Sequence, residues 1–252
     1  MTPELSQVLL RDRDWIERCL MTVAAAPFGI EWASGRGALT VSLLERWNYL
    51  LGMELDFSFC RHLKQIIPAH KGAVICADIN SYPLLKLDRP YPLVGNLPYH
   101  LTGPLLIKIL AAGNRISRFQ GLVQKEVAAR LQAKPGDSKF GSLSLLFNVC
   151  GEIKVHFVVP ATAFSPVPGV DSAWIDFIPR SNRYNFDKLK KFARQVFRWP
   201  RKTLLNNLAA SVSNKETWRR HFEEQQLKET VRAHQLPVSK LMEVFSEWEK
   251  LL

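Results

Sequence analysis

The strongest chemical signal in this chain is a run of four residues, Asn96, Leu97, Pro98 and Tyr99. An amino group on an aromatic ring is a weak nucleophile because its lone pair is delocalised into the ring. The side-chain oxygen of Asn96 and the backbone carbonyl of Leu97 or Pro98 can accept its N–H groups, and proline has no competing N–H. The ring of Tyr99 offers a face for base stacking, worth about 1–3 kcal/mol. The run therefore predicts a site that orients an aromatic amine toward an electrophile, although a proline-stiffened turn has the same residues.

Three strands are predicted before the run Asn96–Tyr99, and glycines or an acidic residue follow each of them. Gly35 and Gly37 form a Gly-x-Gly turn that lets the backbone approach a ligand. Glu54 stands nineteen residues after Gly35, the spacing at which an acid meets ribose hydroxyls, and Asp78 can bind an adenine amino group. Each residue alone also fits a tight turn or a helix cap. Because parallel strands end at one edge of a sheet, together they predict a nucleoside site beside Asn96.

The elements that must position these residues alternate between strands and helices. This order predicts an α/β, Rossmann-like, doubly wound sheet that ends in an antiparallel hairpin. Residues 1–20 have the spacing of an amphipathic helix, and the apolar run Leu143–Val149 is typical of a strand. Beyond residue 182 the apolar residues recur at helical spacing. We therefore expect a first domain over 1–182 and a small all-helical domain over 183–252.

The formal net charge is +11, and the excess lies at the C-terminal end. Residues 181–252 hold 15 Lys and Arg against 8 Asp and Glu, whereas residues 1–180 hold 19 against 15. The segment Lys188–Lys202 contains seven basic residues and no acidic residue. This imbalance favours a polyanionic partner, although a solvated basic helix has the same composition.

Composition narrows the class of protein further. With 47% hydrophobic and 23% charged residues, the chain is not a disordered one. It has no uncharged apolar run of eighteen residues, so no transmembrane helix is expected. The four cysteines form no Cys-x-x-Cys pair and the six histidines lack ligand spacing, which predicts reduced thiols in the cytoplasm and no metal site.

Motifs in a fixed order resemble those of the class I S-adenosylmethionine-dependent RNA adenine dimethyltransferases. The most similar branch is the ribosomal small-subunit RNA adenine N6,N6-dimethyltransferase family of the KsgA type. Besides Asn96–Tyr99, the resemblance rests on an opening motif, a Gln-Lys-Glu-Val-Ala helix start, a Val-Asp-Ser-Ala segment and an Arg-Lys-Thr-Leu helix. These are Ser6–Asp12, Gln124–Leu131, Phe164–Ala173 and Arg201–Leu208.

The resemblance implies a role for individual positions. Gln7 matches a glutamine near the cofactor, and Glu31 with Gly35 and Gly37 matches the loop on its methionine side. Phe164 matches an aromatic residue that flanks the flipped base. The implied cofactor-binding set is Gln7, Glu31, Gly35, Gly37, Glu54, Asp78 and Asn96, and the implied catalytic set is Asn96, Leu97, Pro98, Tyr99 and Phe164. The RNA-binding set expected from the basic segment is Lys188, Lys191, Arg194, Arg198, Arg201 and Lys202.

The chain departs from the family pattern on the cofactor side. Ala33 and Ser34 stand where glycine and proline are usual, and Val8 and Leu9 stand where asparagine and phenylalanine are usual. Alanine is poorly suited to the positive φ that glycine adopts. These changes are compatible with weakened binding of the cofactor or with a divergent member that has lost activity.

Three functions therefore stay open. The leading interpretation is an S-adenosylmethionine-dependent enzyme that dimethylates two adjacent adenosines in the loop of the 3′-terminal helix of small-subunit rRNA, as a monomer acting on the immature subunit in the cytoplasm. The second is a ribosome-assembly factor of the same fold with weak or no catalysis. The third is a large-subunit rRNA adenine methyltransferase of the antibiotic-resistance type.

Overall fold

The computed structural model describes residues 8–85, 87–181, 184–210 and 215–252. The chain divides into two compact units. One runs up to Ala128 and includes Ile153–Arg180, and the other consists of Ala129–Glu152 and Ser181–Leu252. The second unit thus includes a segment that the sequence pattern had assigned to the first domain. The domain limits 1–182 and 183–252 stay a prediction, and residues 182 and 183 lie outside the described part of the chain.

The described residues form strands and helices in the expected alternation. The strands are β1 (Leu9–Leu10), β2 (Gly29–Trp32), β3 (Leu50–Glu54), β4 (Gly72–Cys76), β5 (Tyr91–Asn96), β6 (Ile116–Gln124), β7 (Gly151–Val159), β8 (Phe164–Ser165) and β9 (Ser172–Pro179). The α-helices are α1 (Arg13–Leu20), α2 (Thr40–Arg46), α3 (Phe57–Ile66), α4 (Thr102–Ala112), α5 (Lys125–Leu131), α6 (Ser142–Cys150), α7 (Phe186–Val196), α8 (Leu204–Ala209), α9 (Lys215–Glu224) and α10 (Val238–Lys250). No helix in these described ranges is both long and apolar enough to cross a membrane.

The central sheet has the order β4-β3-β2-β5-β6-β9-β7. The pairs of β2 with β3, β2 with β5, β3 with β4 and β5 with β6 are parallel, and β6 pairs with β9 in the antiparallel sense. This arrangement confirms the predicted doubly wound sheet with an antiparallel end. The strand order reverses at β2, so β2 and β5 flank the crevice where ligands bind in such sheets.

The register of the parallel strands brings the predicted site residues to one edge. Trp32 pairs with Gly95 and with Met53, and Glu54 pairs with Cys76. The residues that follow these pairs, including Asn96 and Asp78, therefore all leave the sheet at its carboxyl edge. The hydrophobic core includes Trp47 and Trp174, both almost completely buried.

The prediction of a helix over residues 1–20 was wrong for part of its described length. Leu9–Leu10 is a strand that pairs with Phe164–Ser165, and the helix begins only at Arg13. Asp12 sets that boundary, because its carboxylate accepts the N–H groups of Asp14 and Trp15 and satisfies two donors of the first turn.

The prediction of a strand over Leu143–Val149 was also wrong, because these residues belong to helix α6. A short, mostly apolar segment of this length does not by itself distinguish a buried strand from a buried helix. The Ser144 hydroxyl accepts the N–H of Gly141 and donates to the carbonyl of Arg130, which stabilises the start of the helix. In the same unit, α7 and α10 share an aromatic core of Phe192, Phe245 and Trp248.

Candidate active site

A cavity of about 400 Å³ opens at the carboxyl edge of the sheet. This volume lies within the range of small-molecule sites in proteins. Its lining includes most of the residues that the sequence singled out, together with apolar residues that make up its walls. The lining residues with predicted roles are Gly35, Glu54, Asp78, Asn96, Leu97, Pro98 and Tyr99.

The side chain of Asn96 is held in one orientation. Its Nδ2 donates a hydrogen bond of 3.0 Å to the carbonyl of Val8, just before β1. Since the nitrogen end of the amide is engaged by this carbonyl, the opposite end presents Oδ1, an acceptor. The residue lines the cavity, so this orientation is compatible with the predicted role of Oδ1 as an acceptor for an amine.

The two carbonyls that the sequence left as alternatives differ in the structure. The carbonyl of Pro98 accepts the N–H of Leu101 at 3.0 Å and the Thr102 hydroxyl at 3.1 Å. Two donors occupy both of its lone pairs. The N–H of Leu97 is bound to the carbonyl of Leu122 at 3.2 Å, which fixes the turn. Of the two, the carbonyl of Leu97 is therefore the better acceptor for a ligand.

Tyr99 is fixed at both its backbone and its hydroxyl. It begins a 3₁₀ turn, Tyr99–Leu101, that leads into α4. Its hydroxyl lies 2.7 Å from the hydroxyl of Ser172, a fully buried residue at the start of β9. Burial raises the pKa of the Tyr99 phenol, and the Ser172 hydrogen bond opposes that rise. Ser172 was not predicted as a site residue, although it belongs to the Val-Asp-Ser-Ala segment.

Asp171 anchors the loop that closes one side of the cavity. Its carbonyl accepts the N–H of Lys125 at 3.0 Å, and its carboxylate accepts the N–H of Ala161 at 3.2 Å. These bonds hold the loop that carries Pro168 and Gly169, both of which line the cavity. Sequence reasoning missed this function because the contacts join segments far apart in the chain.

Glu54 is a buried carboxylate held by three backbone donors. Its Oε2 accepts the N–H of Gly35 at 2.7 Å, and its Oε1 accepts those of Leu55 and Asp56 at 2.8 and 2.9 Å. A carboxylate has about four acceptor positions, so these bonds orient it and leave about one position for a ligand hydroxyl. The predicted acceptance of two ribose hydroxyls therefore requires that the Gly35 bond be shared or released.

Asp78 lines the cavity and also caps a turn. Its carboxylate accepts the N–H of Asn80 at 2.8 Å, and its carbonyl accepts the N–H of Tyr82 at 2.8 Å. Both interpretations of this residue from sequence, a ligand group and a turn cap, are therefore compatible with its position.

The loop after β2 keeps a glycine-type backbone despite its altered sequence. Ala33, Gly35 and Gly37 have φ values of +54°, +56° and +85°. A Cβ added to Gly35 would lie 2.9 Å from a methyl group of Leu9, so glycine is needed there for space as well as conformation. Ala33 adopts the left-handed conformation, which glycine accommodates more easily, at an energetic cost.

Glu31 lies in a different setting from the other acids. It is 1% exposed, and burial raises its pKa to about 8, while the hydroxyl of Thr40 donates a 2.6 Å hydrogen bond to Oε2. It lines a second cavity of about 280 Å³ together with Arg36 and Gly37. This cavity shares Ala33 and Asn96 with the first one, so the predicted methionine-side residues adjoin the nucleoside side.

Among the described residues of the predicted catalytic and cofactor-binding sets, Phe164 lines neither cavity. Phe164 is 2% exposed and packs in the core with Leu10 and Trp174, so its predicted contact with a flipped base stays a prediction without support from its position. Gln7 lies outside the described residues. In the described ranges, no group of three or more metal-ligating side chains is present.

The predicted RNA-binding residues lie in the second unit, on α7 and the turn that follows it. Leu189, Phe192 and Val196 are buried on one face of the helix, which leaves the basic residues on the other faces. Lys191, Arg194, Arg198, Arg201 and Lys202 are exposed, whereas Lys188 is half-exposed and forms an ion pair of 2.9 Å with Glu249.

The turn between α7 and α8 is well fixed. The Arg198 guanidinium and the Lys202 ammonium lie 4.6 and 4.3 Å from the centre of the Trp199 ring. The buried side chain of Asn207 accepts the N–H of Trp199 and donates to its carbonyl, both at 3.2 Å. The charged groups of Arg198 and Lys202 therefore lie beside a ring that is itself fixed by hydrogen bonds at the surface of this unit.

A sheet with this strand order and a nucleoside-sized cavity at its reversal point defines an S-adenosylmethionine-dependent methyltransferase. The family model "Ribosomal RNA adenine dimethylase" matches residues 4–250, nearly the whole chain. The chain belongs to this family, which confirms the resemblance inferred from its motifs.

The matches to bacterial relatives span most of this chain and most of each relative. A protein named "Ribosomal RNA small subunit methyltransferase A" from Xanthomonas euvesicatoria is 33% identical over 244 residues, which is 93% of this chain and 91% of the relative. A protein of the same name from Thermotoga petrophila is 32% identical over 253 residues, 98% of this chain and 92% of the relative.

Solved structures share the fold. The structure of a dimethyladenosine transferase from Plasmodium falciparum has a TM-score of 0.83 at 22% identity and covers 96% of this chain and 98% of that one. The structure of the 23S rRNA methyltransferase ErmE has a TM-score of 0.71 at 21% identity and covers 96% of this chain and 99% of that one. At these identities the likeness concerns the fold alone.

The strained conformation of Ala33 gives a first testable prediction. Ala33→Gly should raise the free energy of unfolding by on the order of 1 kcal/mol, because relief of left-handed strain exceeds the entropy gained by the unfolded chain. Urea unfolding measures the change. Ala25→Gly, in an exposed loop without a positive φ, is the control and should be neutral or destabilising. A destabilised Ala33→Gly variant would contradict the assigned strain.

The burial of Glu31 predicts a dependence of stability on pH. Its pKa is about 8 in the folded chain against 4.5 as the ordinary value, so the unfolded chain loses this proton first as the pH rises. The contribution of Glu31 to stability is therefore present below about pH 4.5 and is lost as the pH rises to about 8. Glu31→Gln stays neutral and should gain stability relative to the parent protein across this window.

Urea unfolding at about pH 5 and about pH 9 measures this difference. The exposed Glu45→Gln on α2 is the matched control and should show no such trend. A difference between Glu31→Gln and the parent that stays constant with pH would show that Glu31 is ionised in the folded protein.

Proposed function

We propose that this protein dimethylates N6 of two adjacent adenosines in the loop of the 3′-terminal helix of small-subunit rRNA, with S-adenosylmethionine as the methyl donor. The observation that carries the proposal is the orientation of Asn96. Its Nδ2 is engaged by the Val8 carbonyl, and the residue lines the same cavity as Glu54 and Asp78. An amine acceptor and a nucleoside site thus share one space.

The residues present fit this cofactor. The cavity of about 400 Å³ has one buried carboxylate, Glu54, and one turn carboxylate, Asp78, at the ends of neighbouring strands. Glu54 would hold the ribose, Asp78 the adenine amino group, and the loop around Gly35 and Glu31 the methionine end. When bound, S-adenosylmethionine supplies an electrophilic methyl group on a sulfonium.

The groups of the chain act mainly by orientation. Before the first transfer, the side-chain oxygen of Asn96 and the carbonyl of Leu97 accept the two N–H groups of the target adenine, which favours a tetrahedral nitrogen with its lone pair free. The monomethylated amine has one N–H left for these acceptors, and the nitrogen releases one proton to solvent in each transfer. The ring of Tyr99 supplies a stacking face, and its hydroxyl bond to Ser172 holds that face in place. No strong base is required, because the positioned acceptors stabilise charge that develops on the nitrogen.

The small subunit is the preferred substrate among the alternatives. The bacterial relatives that match over nearly the full chain bear small-subunit names, whereas the ErmE structure shares only the fold. A loop target suits the chemistry, since unpaired bases enter a pocket at modest cost. The alternative of an inactive assembly factor rested on Ala33, and that residue adopts the backbone conformation expected of glycine.

We also propose how the RNA is held. The exposed basic residues of α7 and the following turn would contact phosphates, with Arg198 and Lys202 beside the fixed ring of Trp199. The partner would be the immature small subunit in the cytoplasm, approached by a monomer without a resident metal ion.

The role of Asn96 predicts a loss of turnover more than of binding. Asn96→Ala should lower kcat by about 10² or more while S-adenosylmethionine and subunit binding change little, because the acceptor acts as the nitrogen becomes tetrahedral. Asn96→Asp retains an acceptor but sets an oxygen against the Val8 carbonyl, so we expect partial activity. Transfer of labelled methyl groups to immature small subunits measures both variants.

In that assay, an Asn96→Ala protein that methylates at the parent rate would remove Asn96 from catalysis. A parent protein that binds subunits and the cofactor but transfers no methyl group would establish the assembly-factor alternative.

The basic turn predicts a salt dependence. Arg201→Glu with Lys202→Glu should weaken subunit binding and flatten the slope of log affinity against log salt by about one per lost phosphate contact. The matched control reverses Lys240 and Lys250, which are paired with glutamates on α10 of the same unit. Equal slopes for the two double variants would assign the basic segment to a solvated surface.

A further inference from the structure

The half-buried side chain of Lys108 makes an unusual set of hydrogen bonds. Its ammonium donates to the carbonyl of Ile79 at 2.6 Å, to that of Asn80 at 3.0 Å and to that of Tyr82. A lysine ammonium has three N–H donors, so these acceptors use its full capacity. All three carbonyls belong to the turn that begins at Asp78.

Fixing a lysine in this way opposes the conformational entropy of its long, flexible side chain. Burial lowers the pKa of the Lys108 ammonium, and the charge of Asp78 raises it again, which places the two groups close enough to interact. The ammonium also lies 5.8 Å from the centre of the Trp32 ring, at the end of β2. Lys108 therefore joins the ends of two strands.

The position of Lys108 on α4 connects the two halves of the site. Helix α4 begins at Thr102, directly after the 3₁₀ turn that Tyr99 opens. The Thr102 hydroxyl donates to the carbonyl of Pro98, so the start of this helix is bound to the amine-site run. Further along the same helix, Lys108 is bound to the turn at Asp78.

We propose that Lys108 is a positioning residue that fixes the turn Asp78–Tyr82 and thereby sets the affinity for the adenosine part of the cofactor. This inference rests on the nucleoside cavity of the proposed function. Lys108 itself need not touch the cofactor; it acts through the turn that carries Asp78.

Lys71 provides a matched control within the same unit. It is also half-buried, and its ammonium donates to a single backbone carbonyl, that of Leu44, at 3.1 Å. Its own carbonyl accepts the N–H of Leu50 at the start of β3, so it lies at the amino end of the strands, away from the cavity. Substitution of either lysine should lower the stability of the fold, whereas only substitution of Lys108 should lower the affinity for the cofactor.

The experiment compares Lys108→Met, Lys108→Arg and Lys71→Met in the full chain. Calorimetry with S-adenosylhomocysteine and with 5′-methylthioadenosine, which lacks the amino-acid end, gives two dissociation constants for each protein. We expect Lys108→Met to weaken both ligands by about tenfold and by similar factors, which is about 1.4 kcal/mol. Lys108→Arg should recover part of this loss, and Lys71→Met should bind like the parent protein.

Kinetics supply the second readout. In methyl transfer to small subunits, Lys108→Met should raise the KM for S-adenosylmethionine by about tenfold with a much smaller change in kcat. Should Lys108→Met fail to fold, Lys108→Gln replaces it, since it keeps donors and loses the charge.

The outcomes separate this inference from the function it rests on. Unchanged affinity in Lys108→Met, an equal loss in Lys71→Met, or a loss for S-adenosylhomocysteine alone would overturn the role of Lys108. An Asp78→Ala variant tests the cavity itself: unaltered binding there would remove Asp78 from the cofactor site. A loss in Asp78→Ala with none in Lys108→Met would keep the cavity and reject the positioning role.

Discussion

The Glu54 carboxylate connects the parts on which the cofactor edge of this protein depends. It lies where β3 ends and receives N–H groups from Gly35, in the loop after β2, and from Leu55 and Asp56, at the approach to α3. Charge-assisted bonds of this kind are about twice as strong as neutral ones. One acid therefore fixes two loops from neighbouring strands, and the same acid is the predicted ribose ligand. A ribose bound at Glu54, as predicted, would therefore compete with the loop N–H groups for a few acceptor positions.

The strand order, and the meeting of Glu54, Asp78 and Asn96 at one cavity, were predictable from the sequence because both depend on local patterns. Strands that alternate with helices give a parallel sheet, and the rule that ligands bind at the carboxyl edge brings Glu54, Asp78 and Asn96 together. Family resemblance added Glu31 on the methionine side. The errors also have physical causes. Leu143–Val149 is a short, mostly apolar segment whose length suits a buried strand as well as a buried helix, and its two polar residues, Ser144 and Asn148, stand at helical spacing. The two-residue strand Leu9–Leu10 is formed by pairing with the distant segment Phe164–Ser165.

The contacts that orient the side chains of the site join residues far apart in the chain, so no local sequence pattern predicts them. Ser172 reaches Tyr99 across 73 positions, and Asn96 reaches Val8 across 88. The occupation of the Pro98 carbonyl is local, but it depends on the 3₁₀ turn that precedes α4. Sequence therefore identified which residues could take part in the chemistry, whereas the three-dimensional structure distinguishes the Leu97 carbonyl from that of Pro98. Family patterns cannot make this distinction, because both residues belong to the same motif.

The departures of this chain from its family become intelligible once backbone and side-chain contributions are separated. Val8 holds Asn96 through its carbonyl, which every residue type possesses, so the change from asparagine leaves that interaction in place. Leu9 packs near Gly35, where an added Cβ would lie 2.9 Å from it, so its side chain limits the loop to glycine. Ala33 keeps the left-handed backbone at a cost in strain. Of these altered residues, Val8 acts through its backbone and Leu9 through the space that its side chain fills. The backbone of Ala33 carries a strain that we expect to lower stability.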